Sequence, residues 1–219
     1  MLTAVKTIVL SHTPDWMIRP VRDVHHLLAL RGSQEPEFEL ISDLVRPGDT
    51  VLDVGANVGV FTHQFSKLVG ARGKVIAIEP AAQNVRVLRA CRFIYRLSNV
   101  QVVHAAASDT ECSLSFEVPT YAWAHAPNYY PCRVAEVGGA HNFSVRGVPL
   151  DSFRVDPSLI KIDVEGHELA VLKGALQTIV QYRPLLLVEV SNPAAADYLF
   201  SLGYRARRIS ANNVLFQPG

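Results

Sequence analysis

Eight side chains carry most of the chemistry open to this sequence. Asp53 stands in the run TVLDV just ahead of Gly55-Ala56-Asn57-Val58-Gly59, Glu79 closes KVIAIE, Asp109 ends HAAASD, Lys161, Asp163, Glu165 and His167 crowd KIDVEGHE, and Glu189 ends LLLVE. A dinucleotide site would want a G-x-G-x-x-G turn, whose helix N-terminus holds a pyrophosphate with no carboxylate beside it. Here the pattern is D-x-G-x-N-x-G, and an acid at that place repels a diphosphate and attracts a cation. The ligand that fits carries an ammonium and a sulfonium and no phosphate, as S-adenosylmethionine does. Glu79, at the next strand end, then stands where an acid accepts both ribose hydroxyls in a bidentate manner. Asp109 follows within reach of an adenine amino group, and Gly55 lets the backbone pass close to the methionine part of the cofactor.

Methyl transfer is an in-line displacement in which alignment supplies much of the rate. An aliphatic hydroxyl also needs a base, which contributes on the order of a hundred- to ten-thousand-fold. Asp163, at a strand end, is the expected base, with the cap of the following helix as its plain structural alternative. His167, near a positive helix end that keeps its ring neutral, is either a second base or a bystander. Lys161, on the same side of its strand as Asp163, orients the acceptor or pairs with a neighbouring acid. Glu165 and Glu168 suit the helix macrodipole. The competing mechanism is a divalent ion such as Mg²⁺ held by Asp163, Glu165, His167 and Glu189.

These residues need elements to position them. Short apolar runs at Thr50 to Val54, Lys74 to Ile78, Val100 to Ala105, Leu159 to Ile162 and Pro184 to Val190 read as strands buried on both faces. Helix-period segments lie between and after them, at Val60 to Val69, Ala81 to Leu97, Glu168 to Tyr182 and Pro193 to Leu202. The alternation predicts a doubly wound α/β domain, with the ligand crevice at the carboxyl ends of the strands. Tyr204 to Ile209 and Asn213 to Phe216 form a C-terminal hairpin around Ser210-Ala211-Asn212, which adds an antiparallel strand. Residues 1–48 read as a helical and irregular extension ahead of a domain at 49–219. An excursion at 119–143, rich in Tyr121, Trp123, Tyr129, Tyr130 and Phe143, is either a satellite core or the wall of an acceptor pocket.

The 219 residues, 49% hydrophobic and 19% charged, suffice for one good core. Twenty-one Lys plus Arg against twenty Asp plus Glu, with no block of one sign, mark no surface for nucleic acid or anionic lipid. Arg205, Arg207 and Arg208 read as a solvated strand face. Cys91, Cys112 and Cys132 have no zinc spacing and are odd in number, so a reducing compartment follows, with Cys91 and Cys112 as small buried hydrophobes. The longest apolar run at the N-terminus, Thr7-Ile8-Val9-Leu10, is too short to span a bilayer. The expected location is the cytoplasm, and a homodimer is one option for the assembly.

The strings GSQEPEFELISDLVRPGDTVLDVGANVGVFT, VIAIEP, VPLDSF and LIKIDVEGHELAVLKGA closely resemble the FkbM-like branch of class I S-adenosylmethionine-dependent methyltransferases, from about Gly32 to the C-terminus. KIDVEGHE is the most specific of them. The resemblance implies the seven-stranded, Rossmann-like methyltransferase sheet, O-methylation of a small molecule or glycan, and an acceptor site above Asp163. The cofactor set becomes Glu35, Asp53, Gly55, Asn57, Gly59, Glu79, Ser108 and Asp109, and the catalytic set Asp163, His167 and Lys161. A chain that binds the cofactor without catalysis is the reading from another class, and the acceptor stays open.

Overall fold

A computed structural model describes residues 35, 37–119, 132–134 and 142–219. The chain enters through helix α1 (Glu37–Leu44) and alternates through β1 (Thr50–Val54), α2 (Val60–Val69), β2 (Lys74–Glu79), α3 (Ala82–Ile94) and β3 (Val100–His104). Four shorter or more exposed strands follow, β4 (Ala106–Ala107), β5 (Cys112–Glu117), β6 (Arg133–Val134) and β7 (Asn142–Val148). A 3₁₀ turn at Leu150–Phe153 then leads into β8 (Leu159–Ile162), α4 (Glu168–Lys173), α5 (Leu176–Tyr182), β9 (Leu185–Glu189), α6 (Pro193–Ser201), β10 (Tyr204–Arg208) and β11 (Asn213–Pro218).

The main sheet has seven strands in the order β10-β11-β9-β8-β1-β2-β3. Five are parallel, and β11 runs antiparallel to both β9 and β10, as the hairpin expectation requires. Alternate residues face opposite helix layers. Val51, Val75 and Ala77 pack with Phe65 and Val69 of α2 and Leu88 and Cys91 of α3. On the other face, Leu52, Ile76 and Ile160 pack with Leu172 of α4, Ile179 of α5 and Leu199 of α6. Both faces being apolar is what makes these strands continuous hydrophobic runs in the sequence. Among the described residues no helix is long and apolar enough to cross a membrane.

Three features depart from expectation. The helix expected from Glu168 to Tyr182 is two helices. A side chain at Gly174 would put Cβ 1.9 Å from the Ser108 carbonyl oxygen, so the chain passes that point as glycine and restarts. Asp151, from VPLDSF, caps the restart, accepting from the backbone N–H of Gln177 (3.0 Å) and Thr178 (2.8 Å) and from the Thr178 hydroxyl (2.7 Å). Second, β4, β7, β5 and β6 form a separate four-stranded sheet. Phe143 of the aromatic excursion stacks on Phe116 at 5.3 Å between centroids and packs against a small core of Ala81, Val118, Cys132 and Val145. Tyr121, Trp123, Tyr129 and Tyr130 lie outside the described residues, as do residues 1–34. Third, Cys112 is exposed rather than buried, because it opens β5 at the open end of that sheet, whereas Cys91 is buried. Arg205, Arg207 and Arg208 are exposed on the edge strand β10, a solvated face as read.

Candidate active site

The carboxyl ends of β1, β8 and β9 and the start of β11 surround a cavity of about 340 Å³. Of the residues singled out in the sequence, Glu35, Asp53, Gly55, Asn57, Lys161 and Asp163 line it. Gly59, Glu79, Ser108, Asp109 and His167 do not. Glu189, singled out in the sequence as well, also lines it, together with Glu37, Phe61, Ser210 and Asn213. Among the described residues the cavity therefore presents five carboxyl groups, Glu35, Glu37, Asp53, Asp163 and Glu189, against the single ammonium of Lys161.

The glycine loop is shaped by three left-handed residues, Gly55 (φ 79°), Asn57 (φ 50°) and Gly59 (φ 98°). Asparagine tolerates that conformation better than most residues, which explains its place between the glycines. Gly55 also makes a close approach within the protein: an added Cβ would lie 1.7 Å from the carbonyl oxygen of Asp163. Two strand ends thus meet through a residue with no side chain.

Asp53 is completely buried beneath this loop. One of its oxygens accepts the hydroxyl of Thr62 at 2.5 Å, while Oδ1 has no partner. Burial holds its pKa above the usual carboxylate range, with the Lys161 ammonium and the Thr62 hydroxyl working against the rise. The side-chain oxygen of Asn57 is also buried and without a partner.

Lys161, 3% exposed, lies with its ammonium 2.9 Å from Asp163 Oδ2 and 4.5 Å from the centre of the Phe61 ring. The expected pairing with a neighbouring acid is present. Asp163 does not cap α4, whose N-cap is His167. Burial works to raise the pKa of Asp163, but Lys161 and a hydrogen bond with Glu189 outweigh it and hold the group below its ordinary value. Glu189 moves the other way. Burial, the hydrogen bond with Asp163 and that neighbour's charge push it up to about 7, against a bond from Asn212 Nδ2 to Glu189 Oε1 of 3.3 Å.

His167 meets Ser108 rather than Asp163: its Nε2 lies 3.0 Å from the Ser108 hydroxyl, which also donates to Asp109. Burial lowers the imidazole pKa despite Asp109 and Glu168, so the ring is neutral near pH 7. Glu165 sits exposed on the intervening turn, and Glu168 is fully buried, accepting from the Gly166 N–H at 2.8 Å. The four residues of the competing Mg²⁺ reading therefore do not all converge: Asp163 meets Glu189, but His167 turns to Ser108 and Glu165 is exposed. Among the described residues no group of three His, Cys, Asp or Glu side chains could hold a metal ion. Lys161 supplies the positive charge beside Asp163 that such an ion would have supplied.

Glu79 lies on the other side of the glycine loop, buried, and its carboxylate is already busy. It accepts from the backbone N–H of Asn57 (2.9 Å) and Ala81 (3.0 Å) and from Asn84 Nδ2 (3.2 Å). A carboxylate offers about four lone-pair sites. Three are taken within the protein and one remains on Oε2, fewer than the bidentate hold expected of this residue would use. Its second role is to hold the loop through Asn57.

Burial pushes Glu79 up to about 7 from 4.5, against the bonds from Ala81, Asn57 and Asn84. A carboxyl that binds its proton more tightly folded than unfolded contributes fully below pH 4.5, and the contribution is lost as pH rises through about 7. Thermal unfolding across that window is expected to show the wild type losing about 3 kcal/mol relative to Glu79→Gln. Parallel curves for the two proteins would show that Glu79 is not the group responsible.

Cys132 marks how the second sheet closes over this flank. Its thiol is pushed up to about 12 by burial first, then by the charges of Glu79 and Glu165. Sequence reading missed Glu37. It accepts from Ser210 Oγ (2.9 Å) and Asn213 Nδ2 (2.8 Å), pinning α1 to the β10–β11 turn across the cavity. The signal available was the acidic E-P-E at residues 35–37, of which only Glu35 was singled out.

Known proteins are similar to this chain in sequence and in fold. The chain is 28% identical over 176 residues to the hexuronic acid methyltransferase AglP of Haloferax volcanii, covering 78% of this chain and 69% of that protein. Its fold is similar to that of the methyltransferase FkbM from Methylobacillus flagellatus, with a TM-score of 0.54 and 18% identity over 93% of this chain, which spans 60% of that one. It is similar too to a methyltransferase from Geobacter sulfurreducens, with a TM-score of 0.55 and 12% identity, covering 99% and 96% of the two chains. Residues 53–206, from the buried aspartate of β1 into β10, match the methyltransferase FkbM domain. An acid-lined crevice at the switch point of a seven-stranded sheet is therefore set in a sequence of known kind, and the chain belongs to the FkbM methyltransferase family.

Proposed function

We propose that the protein is an S-adenosylmethionine-dependent O-methyltransferase acting on a hydroxyl of a small molecule or glycan. The observation that carries this reading is the charge of the cavity: five carboxylates and one ammonium, with the buried Asp53 Oδ1 and Asn57 Oδ1 lacking partners beside a glycine loop. Such a wall repels a diphosphate and suits a ligand bearing an ammonium and a sulfonium.

When bound, S-adenosylmethionine supplies an electrophilic methyl group on a positively charged sulfur. Asp53, Gly55 and Asn57 would hold its amino-acid end, while Glu79 takes one ribose hydroxyl and Ser108 and Asp109 lie toward the base. Asp163 and Lys161 order the acceptor end, and Phe61 keeps water from one side of it. The alignment needed for displacement comes from rigid strand ends rather than from flexible loops. We place this domain at residues 49–219, with 1–48 an extension whose Glu35 and Glu37 reach the cavity. The relation to AglP makes uronic acids and their glycosides the first acceptors to screen.

Calorimetry with S-adenosylhomocysteine and NAD⁺ tests the reading. S-adenosylhomocysteine is expected to bind with a Kd below about 100 μM, or roughly −5.5 kcal/mol, and NAD⁺ not to bind. Binding of NAD⁺, or none of S-adenosylhomocysteine, would defeat it. Transfer of a labelled methyl group to hydroxylated glycans then separates an enzyme from a protein that only binds the cofactor.

A further inference from the structure

We propose that Glu189 is the residue that takes the proton from the acceptor hydroxyl, with Asp163 and Lys161 as the residues that position it. This rests on the methyl-transfer reading above and adds the base to it.

Six groups stand near enough to the crevice to compete for the role, Asp53, Asp163, His167, Glu35, Glu37 and Glu189. Asp53 lies under the glycine loop, fully buried, with one oxygen held by Thr62. Asp163 is committed to Lys161 at 2.9 Å, and an ion-paired carboxylate is a poor base. His167 has its Nε2 on Ser108, outside the cavity wall. Glu35 is exposed, and Glu37 is buried and accepts from Ser210 and Asn213, so Glu189 is the half-buried carboxylate of the wall that no cation holds. It ends β9, is half-buried, and is fixed on two sides, by Asp163 from the end of β8 and by Asn212 from the β10–β11 turn.

The surroundings of Glu189 set its proton affinity. Asp163 faces it from the end of β8, with the Lys161 ammonium bonded to Asp163's Oδ2. Glu165 adds negative charge from the turn after β8, Asn212 donates to it, and Asn213 of β11 is its register partner. Glu35, Glu37 and Asp53 complete the acidic wall. Two carboxyls in hydrogen-bond contact resist carrying two charges, and Lys161 stabilises the charge on Asp163. The proton of the pair therefore belongs to Glu189, whose pKa of about 7 matches what a base working near neutral pH requires.

The step balances. The acceptor O–H bond breaks and its proton goes to a Glu189 oxygen. The O–C bond forms as the methyl carbon leaves sulfur, the C–S electron pair stays on sulfur, and the cationic donor becomes neutral. Glu189 later returns the proton to solvent. The acceptor atom this demands is a hydroxyl oxygen: a carboxylate oxygen has no proton to give, so a uronic acid would be methylated on a ring hydroxyl and not on its carboxyl.

The test uses the full chain and the variants Glu189→Gln and Asp163→Asn. Carbon-13 NMR of protein labelled at the glutamate carboxyls, with the Glu189 signal assigned by its absence in Glu189→Gln, is expected to show a titration near pH 7 that falls toward the ordinary range in Asp163→Asn. With methyl glycosides as probe acceptors, wild-type kcat is expected to rise with pH through the same value. Glu189→Gln is expected to lower kcat about a hundredfold or more, with KM and S-adenosylhomocysteine binding little changed. The proposal is overturned if Glu189 titrates as an ordinary carboxylate, or if Glu189→Gln transfers methyl at the wild-type rate. Absence of S-adenosylhomocysteine binding by the wild type would instead sink the methyl-transfer reading, an outcome that calorimetry reads separately.

Discussion

Replacing Gly55 by valine is expected to cost the protein its fold and not merely its ligand. Any side chain there starts with a Cβ placed 1.7 Å from the Asp163 carbonyl oxygen, on a residue whose φ is 79°. The backbone oxygen cannot swing aside, because Asp163 is tied to β1 by its own N–H, 3.0 Å from the Val54 carbonyl. Relief requires that β1 and β8 part at the centre of the sheet. Strain in the turn alone costs roughly 1–3 kcal/mol, and forcing atoms into packed structure a further 1–3 kcal/mol or more. A total of about 5 kcal/mol approaches the whole stability of an ordinary domain. Gly166 provides the control, because its φ is 101° but nothing lies within 4 Å of an added Cβ. Gly166→Ala should therefore lose only about 1–2 kcal/mol, from backbone strain. Circular dichroism melts of the two variants decide the matter: a Gly55→Val protein that melts like the wild type would mean the glycine serves a ligand after all.

Lys161→Met should produce the second large loss, and one that depends on pH. The ammonium is buried between the end of β8 and the Phe61 ring, and Lys161 is the register partner of Asp53 on β1. It is the cation that offsets Asp53 and Asp163. Methionine fills a similar volume but leaves those carboxylates uncompensated, and removing one partner of a buried pair costs about 3–5 kcal/mol. Without the cation both carboxyls bind protons more tightly in the folded chain than in the unfolded one. The penalty is therefore full at high pH and fades as pH falls and they become neutral. Urea unfolding at pH 7.5 and pH 5.5 should show the gap between wild type and variant shrinking on acidification. A gap that does not change would mean that lost packing, rather than lost charge, explains it.

What the sequence disclosed and what it hid divide along physical lines. The strands of the main sheet were legible because helices cover both faces, so VIAI of β2 and LLLV of β9 read as uninterrupted apolar runs. The second sheet escaped because its strands are half exposed. In CSLSFE and NFSVRGV the alternation of Ser113, Ser115, Ser144 and Arg146 with Leu114, Phe116, Phe143 and Val145 was the available sign. The break in the long helix turned on Gly174, whose reason lies 66 residues earlier at the Ser108 carbonyl, beyond any local pattern. Within the site, the rule that ligands gather at strand ends brought Asp53, Lys161 and Asp163 to one cavity. It could not foresee that Glu79 spends three of its lone pairs on its own loop, or that His167 turns to Ser108. Side-chain partners across long separations follow from the fold, and spacing along the chain does not contain them.

The order of strands also governs how the chain can come together in time. β1 lies between β2, which begins 20 residues after it ends, and β8, whose first residue is 105 beyond Val54. During synthesis at about 5–20 residues per second, β1, β2 and β3 are complete well before Leu159 to Ile162 emerge. For that interval the edge of β1 that will receive β8 presents unpaired N–H and C=O groups along an apolar strand, a surface prone to wrong pairing. Closing so long a loop before its contacts can repay the entropy makes docking of β8 a natural slow step. The acid-lined crevice is born at that same instant, since the junction of Gly55 with Asp163 is the seam where the two halves of the sheet join.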